Sequence, residues 1–168
     1  IQRLFRQTPI YIMPKMKQPL SEEEIYQRLS RRCAMCEYAP RDIRQKALQL
    51  GATRSTADQI TNRLIDENFI NEQRYARSFT HDKFTFSHWG KNKIIVSLKQ
   101  KGISTGVINN ALATIDPEQY LETLKNILTQ KSRQIKDEDP FVRQRKLASH
   151  AIAKGFEPEI VFNAIERQ

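Results

Sequence analysis

The sequence predicts an all-α protein: three tandem three-helix repeats forming an elongated, curved body. Three observations carry this. Pro40, Pro117, Pro140 and Pro158 each precede a run with helical apolar spacing. Proline fits the first helical position, where its missing N–H has no bond to lose. Gly51, Gly102 and Gly155 recur at intervals of 51 and 53 residues, a period that marks tandem structural units. No stretch alternates apolar and polar residues as a half-buried strand does.

The elements follow in order. Residues 1–20 contain Pro9, Pro14 and Pro19, four basic residues and no acid; they read as a basic tail, within which Met13 or Met16 is a candidate initiator. Ser21 and Glu24 have capping-box spacing and open a helix over residues 22–37. Pro40 opens a helix over 40–50, which Gly51 closes by taking a left-handed conformation. Thr56 and Gln59 have the capping-box spacing again and open 56–67. These three helices form repeat 1, residues 21–70. Repeat 2, residues 71–116, holds helices over 71–84, 90–101 and 104–115, with Gly102 closing the second. Asp116-Pro117 and Asp139-Pro140 each pair an N-cap with a first-turn proline. They start helices over 117–134 and 140–154; Gly155 closes the latter, and 157–166 completes repeat 3, residues 117–168. The segments "GISTGVINNAL" and "GFEPEIVFNAI" align without a gap after the last two glycines. Units of this kind contact mainly their neighbours, hence the extended body.

The net charge is +9 and the pI about 9.7, which favours an anionic partner such as nucleic acid. The apolar share of 39% fits small cores spread along a row. Residues 1–20 carry +4, residues 21–70 carry zero, 71–116 carry +4 and 117–168 carry +1. No apolar run approaches the roughly 20 residues that span a bilayer, and no signal-peptide pattern is present. The expectation is a cytoplasmic monomer that does not meet a membrane.

Cys33 and Cys36 are the only cysteines. Zinc takes four ligands, and His81, His88 and His150 lack ligand spacing. A thioredoxin-like pair needs a βαβ context, which is missing. Both cysteines therefore read as small apolar residues on a helix, and no metal or cofactor is expected. The carboxylates at 22–24 and 137–139 sit at helix starts, where negative charge favours the helix dipole. No Gly-rich phosphate loop, HExxH or GxSxG occurs. No catalytic residue is assigned, and the chain reads as a protein other than an enzyme.

The stretch "TFSHWGKNKIIVSLKQKGI", residues 85–103, carries four lysines, and no Asp or Glu lies between Asp82 and Asp116. Ile94, Ile95 and Leu98 share one helical face, which turns the lysines outward. Soluble surfaces normally mix signs. Lys91, Lys93, Lys99 and Lys101 are thus candidates for binding DNA or a nucleoprotein filament, with Arg74 and Arg77 as a second tier. Trp89 beside them can stack on a base. Phe84 and, by default, Phe86 are expected in the core, as is the stripe of Tyr75 and Phe79, four residues apart.

Residues 64–103, "LIDENFINEQRYARSFTHDKFTFSHWGKNKIIVSLKQKGI", resemble the signature region of the RecX regulatory proteins. Leu64, Phe69, Ile70, Glu72, Arg74, Tyr75, Ala76 and Phe79 match its first half; Trp89, Gly90, Ile94, Leu98, Lys101, Gly102 and Ile103 match its second. Residues 1–20 depart from the usual start. The resemblance implies three three-helix repeats and no catalytic residues. It also implies binding to the RecA recombinase filament, inhibition of RecA strand exchange and ATPase activity, and thereby modulation of homologous recombination and the SOS response. Single-stranded DNA, bound without sequence preference, is a further expected partner. The alternative is a sequence-tolerant helical DNA-binding protein acting without RecA. Thr105, Asn109 and Asn110 on the helix near Ser104 match a recognition helix only weakly.

Overall fold

The computed structural model describes residues 20–136 and 139–166. All but the last residue of the basic tail, and two of the three carboxylates at 137–139, lie outside them. The described residues form helices and connecting turns, with no strand among them. Repeat 1 comprises α1 (Glu22–Met35), α2 (Pro40–Gln49) and α3 (Arg54–Asp66); repeat 2 comprises α4 (Glu72–Thr85), α5 (Lys91–Gln100) and α6 (Thr105–Leu112); repeat 3 comprises α7 (Pro117–Ser132), α8 (Pro140–Ala153) and α9 (Pro158–Glu166). Helix packs on helix almost entirely within a repeat.

The punctuation acts as its chemistry requires. Ser21 accepts from the Glu24 N–H while Glu24 accepts from the Ser21 N–H, a complete capping box. Asp116 and Asp139 cap α7 and α8, each with proline in the first turn. Gly51, Gly102 and Gly155 all have positive φ, at 100°, 82° and 97°. The third helix starts earlier than expected. Its N-cap is Thr53, which accepts from the Thr56 N–H, so Thr56 lies inside α3.

The helical faces pack into two clusters. Ile25, Leu29, Ile43, Ile60 and Leu64 centre the core of repeat 1. Ile94, Leu98, Ile108, Leu124, Leu128 and Phe156 belong to one continuous core shared by repeats 2 and 3. Phe84, Tyr120 and Phe156 stack in series across that boundary, with ring centroids 5.8 and 5.0 Å apart. Tyr75 is buried and Phe79 half-buried, as their spacing implies.

Phe86, expected in the core, lies outside it, and Cys36, expected on a helix, lies just past one. Cys36 is exposed at the C-cap of α1, and Phe86 is 74% exposed at the C-cap of α4. Each stands one residue past the last helical turn, where helical periodicity no longer sets direction. Cys33 is buried, and burial, then the neighbouring Cys36 and Glu37, pushes its thiol up to about 11.

The middle helices meet end to end. At the start of α5, the Gly90 N–H donates to the Lys154 carbonyl (2.9 Å) and the Asn92 N–H to the Gly155 carbonyl (3.0 Å) at the end of α8. At the start of α2, Arg41 donates to the Gln100 carbonyl at the end of α5 (2.9 Å). Gly90 and Gly155 touch so closely that a Cβ on Gly90 would lie 2.2 Å from the Gly155 carbonyl carbon.

Two predictions follow from this geometry. Gly90→Ala destabilises the protein by about 1–3 kcal/mol, because backbone rather than a pliable side chain must give way. Gly106→Ala, inside α6 with nothing within 4 Å, stabilises by about 0.5–1 kcal/mol. Urea unfolding midpoints of the two variants should move in opposite directions. Separately, a thiol reagent at neutral pH modifies Cys36 in the folded protein and Cys33 only after unfolding, since the protonated, buried thiol is neither nucleophilic nor accessible. Equal rates at both positions in native buffer would contradict the burial.

Candidate nucleic-acid interface

The basic stretch forms the end of α4, the α4–α5 turn and all of α5. The turn folds back on α4: the Trp89 N–H donates to the Lys83 carbonyl (3.0 Å), and His88 takes a left-handed conformation (φ 53°). This sets the half-buried Trp89 ring against Phe79, edge to face at 6.4 Å. Two ammonium groups then converge on the indole. Lys93 Nζ lies 4.5 Å and Lys83 Nζ 5.0 Å from the ring centroid. A cation–π contact at such a site contributes about 0.5–1 kcal/mol, and it leaves the positive charge unneutralised. Lys83 was absent from the sequence-based candidates. Its signal was the i, i+4 spacing from Phe79, which places it over the same aromatic row.

The remaining candidates divide. Lys99 and Arg77 are exposed and enter no ion pair among the described residues. Lys91 is half-buried, with its ammonium 4.8 Å from the Tyr120 centroid and its N–H donating to the Tyr120 hydroxyl (3.0 Å). That hydroxyl donates in turn to Glu157. Burial, then this hydrogen bond, raises the Tyr120 pKa, so the phenol stays protonated as a fixed donor.

Lys101 and Arg74 have partners inside the protein. Lys101 Nζ reaches both Asp42 oxygens, at 2.9 and 3.0 Å. Arg74 Nε donates to Glu37 (2.7 Å), while its two terminal nitrogens hold the Asn68 side chain (2.9 Å) and carbonyl (3.0 Å). Both carboxylates belong to repeat 1, so these cations join repeats 1 and 2. The site therefore consists of Lys83, Lys93 and Trp89, with Lys99 and Arg77 exposed on the same repeat and Lys91 at its edge. It is a cationic, partly aromatic surface. No cluster of three His, Cys, Asp or Glu side chains fit for a metal ion occurs among the described residues, and no helix there is long and apolar enough to cross a membrane.

This arrangement of helices has known counterparts. The chain superposes on the crystal structure of a regulatory protein RecX with a TM-score of 0.79 at 22% identity, covering 88% of this chain and 72% of the other. It superposes on the crystal structure of RecX from Lactobacillus salivarius with a TM-score of 0.77 at 20% identity, covering 87% and 95%. In sequence it is 24% identical over 153 residues to the regulatory protein RecX of Clostridioides difficile, covering 89% of this chain and 72% of that one. It is 24% identical over 127 residues to that of Leuconostoc mesenteroides, covering 76% and 48%, and 28% identical over 118 residues to that of Clostridium tetani, covering 69% and 54%. The chain thus spans between about half and three quarters of the length of these relatives. Residues 71–112 match the family model of the second three-helix domain of RecX, and residues 118–165 that of the third. These matched segments overlap helices α4–α6 and α7–α9 and together make up more than half of the chain, so the chain belongs to the RecX family of regulatory proteins.

Proposed function

We propose that this protein binds the RecA–DNA filament and inhibits RecA ATPase and strand-exchange activity, with repeat 2 supplying contacts to DNA phosphates. The observation that carries the DNA contact is the Lys83–Trp89–Lys93 cluster in a repeat whose stretch from 83 to 115 has no acid. The family's description as regulatory proteins supports a role in control rather than catalysis. A row of repeats offers a long contact surface, which suits a groove more than a point site. Lysines act as point charges on phosphate, so the contact positions the protein without reading sequence. The protein acts in the cytoplasm, where RecA works. Lys101 and Arg74 serve this function indirectly, by pairing with Asp42 and Glu37 of repeat 1 across the boundary beside the cationic surface.

The direct test adds the protein to a cognate RecA filament on single-stranded DNA and follows ATP hydrolysis. Inhibition is expected well below one protein per RecA subunit. No effect at equimolar protein would remove the RecA reading and leave a helical DNA-binding protein acting alone.

A second test isolates the lysines. Lys83→Gln/Lys93→Gln/Lys99→Gln should flatten the log–log salt dependence of single-stranded DNA binding by about two units, at about 0.7 per phosphate released. Lys101→Gln should leave that slope unchanged and instead lower the unfolding midpoint of repeat 1 relative to the rest. The fluorescence of Trp89, the single tryptophan, should change on adding an oligothymidylate to the parent. An unaltered slope in the triple variant, with unaltered Trp89 emission, would show that the surface is only a solubilising rim.

A further inference from the structure

We propose a second phosphate-binding site at the outer end of repeat 1, in the cleft between the C-terminal halves of α1 and α2, which takes the backbone of a nucleic acid strand. The cleft holds about 400 Å³ and is floored by Leu29 and Leu50. Arg28, Arg31, Arg32 and Lys46 line it, with no carboxylate. Arg28, Arg31 and Arg32 are exposed on one face of α1, and Lys46 is half-buried with its ammonium 5.5 Å from the Tyr38 ring.

Repeat 1 is neutral overall, yet its charges are sorted. Arg44 pairs with Asp58, and Arg63 with Glu23 and Glu67. Glu37 and Asp42 are taken by cations of repeat 2. Glu24, one turn before Arg28, is held by both the N–H and the hydroxyl of Ser21 and attracts Arg28 only through space, without an ion-pair contact. The pairing consumes acid and leaves four cations together in the cleft. Arg32 and Lys46 stand in the last turns of their helices, where a cation also offsets the dipole. Arg28 and Arg31 stand before the last turn and have no such role.

The repeats themselves indicate which kind of anion fits. Counted from the N-caps Ser21 and Asn71, the positions equivalent to Arg28, Arg31 and Arg32 are Ser78, His81 and Asp82. In repeat 2 Ser78 and Asp82 line a cleft with Tyr75 and Phe79, and the α1–α2 turn residues Cys36 and Glu37 of the preceding repeat form its other wall. A face that takes protein is thus aromatic and mixed in charge. The equivalent face of repeat 1 is uniformly cationic, which matches a polyanion. Arginine's planar fork favours phosphate oxygens, and a chain of net charge +9 repels a second copy of itself.

The test needs no RecA, so its outcome is independent of the filament reading. Arg28→Gln/Arg32→Gln/Lys46→Gln keeps much of the apolar stems; helix content should match the parent, and the unfolding midpoint should fall only by the loss of two last-turn cations. Its binding to an oligothymidylate over a salt series should lose about two units of log–log slope. Combined with the three lysine changes of repeat 2, the loss should double. A photoactivatable oligonucleotide should cross-link to the α1 peptide of the unaltered protein, which serves as the readout if the variant folds poorly. Parent-like slope and affinity in a folded variant, or no α1 cross-link, would overturn the proposal. So would unchanged oligonucleotide binding with a change only in sedimentation, which would assign the cleft to self-association.

Discussion

The structure depends on how one helix end meets another. A helix leaves unpaired N–H groups at its start and unpaired carbonyls at its end. Between repeats 2 and 3, N–H groups at the start of α5 bond directly to carbonyls at the end of α8. Opposite ends of two helix dipoles are thereby brought together. Two backbones can approach this closely only where neither carries a side chain, which is why Gly90 and Gly155 face each other. Between repeats 1 and 2 the same ends meet at greater distance, with Arg41 spanning the gap to Gln100. Ala39 at the foot of α2 fits into the core of the next repeats. The orientation of each repeat relative to the next follows from these joints.

The joints also decide which charges remain for a partner. Lys101, Arg74 and Arg41 lie at the first joint and are bonded there. Lys91 lies at the second, against Tyr120. Lys83, Lys93 and Lys99 remain on repeat 2. On repeat 1 the loss of Glu37 and Asp42 to the joint leaves its surplus cations unpaired. A neutral sum along the sequence thus hides a segregated surface, because electrostatic effect depends on pairing in space.

Much of the fold was legible, and the reason is local. A left-handed residue after a helix is a backbone demand that glycine meets cheaply, so the period of Gly51, Gly102 and Gly155 showed through. Ser21, Asp116 and Asp139 were legible because a cap and its bond lie within three residues. Thr53 was missed because Thr53 and Thr56 are both plausible caps, and the choice depends on how the chain leaves Gly51. Phe86 was placed in the core and Cys36 inside a helix for one shared reason: each is a C-cap, where the helical period has just ended. The partners of Lys101 and Arg74 lie 59 and 37 residues away. Neither pairing has any trace in the neighbouring sequence, so candidate cations could be found there but not sorted.

The two joints differ in stiffness. Repeats 2 and 3 share one apolar core, crossed by the Phe84–Tyr120–Phe156 stack. Opening that joint exposes buried aromatic surface, at a cost of several kcal/mol by area. Repeat 1 keeps its own core and is held mainly by partly exposed ion pairs, whose side chains are 27–42% accessible. Such pairs contribute about 0–1 kcal/mol each. Glu37 also keeps one buried carboxylate oxygen without a partner, which raises the energy of the closed joint. The joint between repeats 1 and 2 is therefore the weaker of the two.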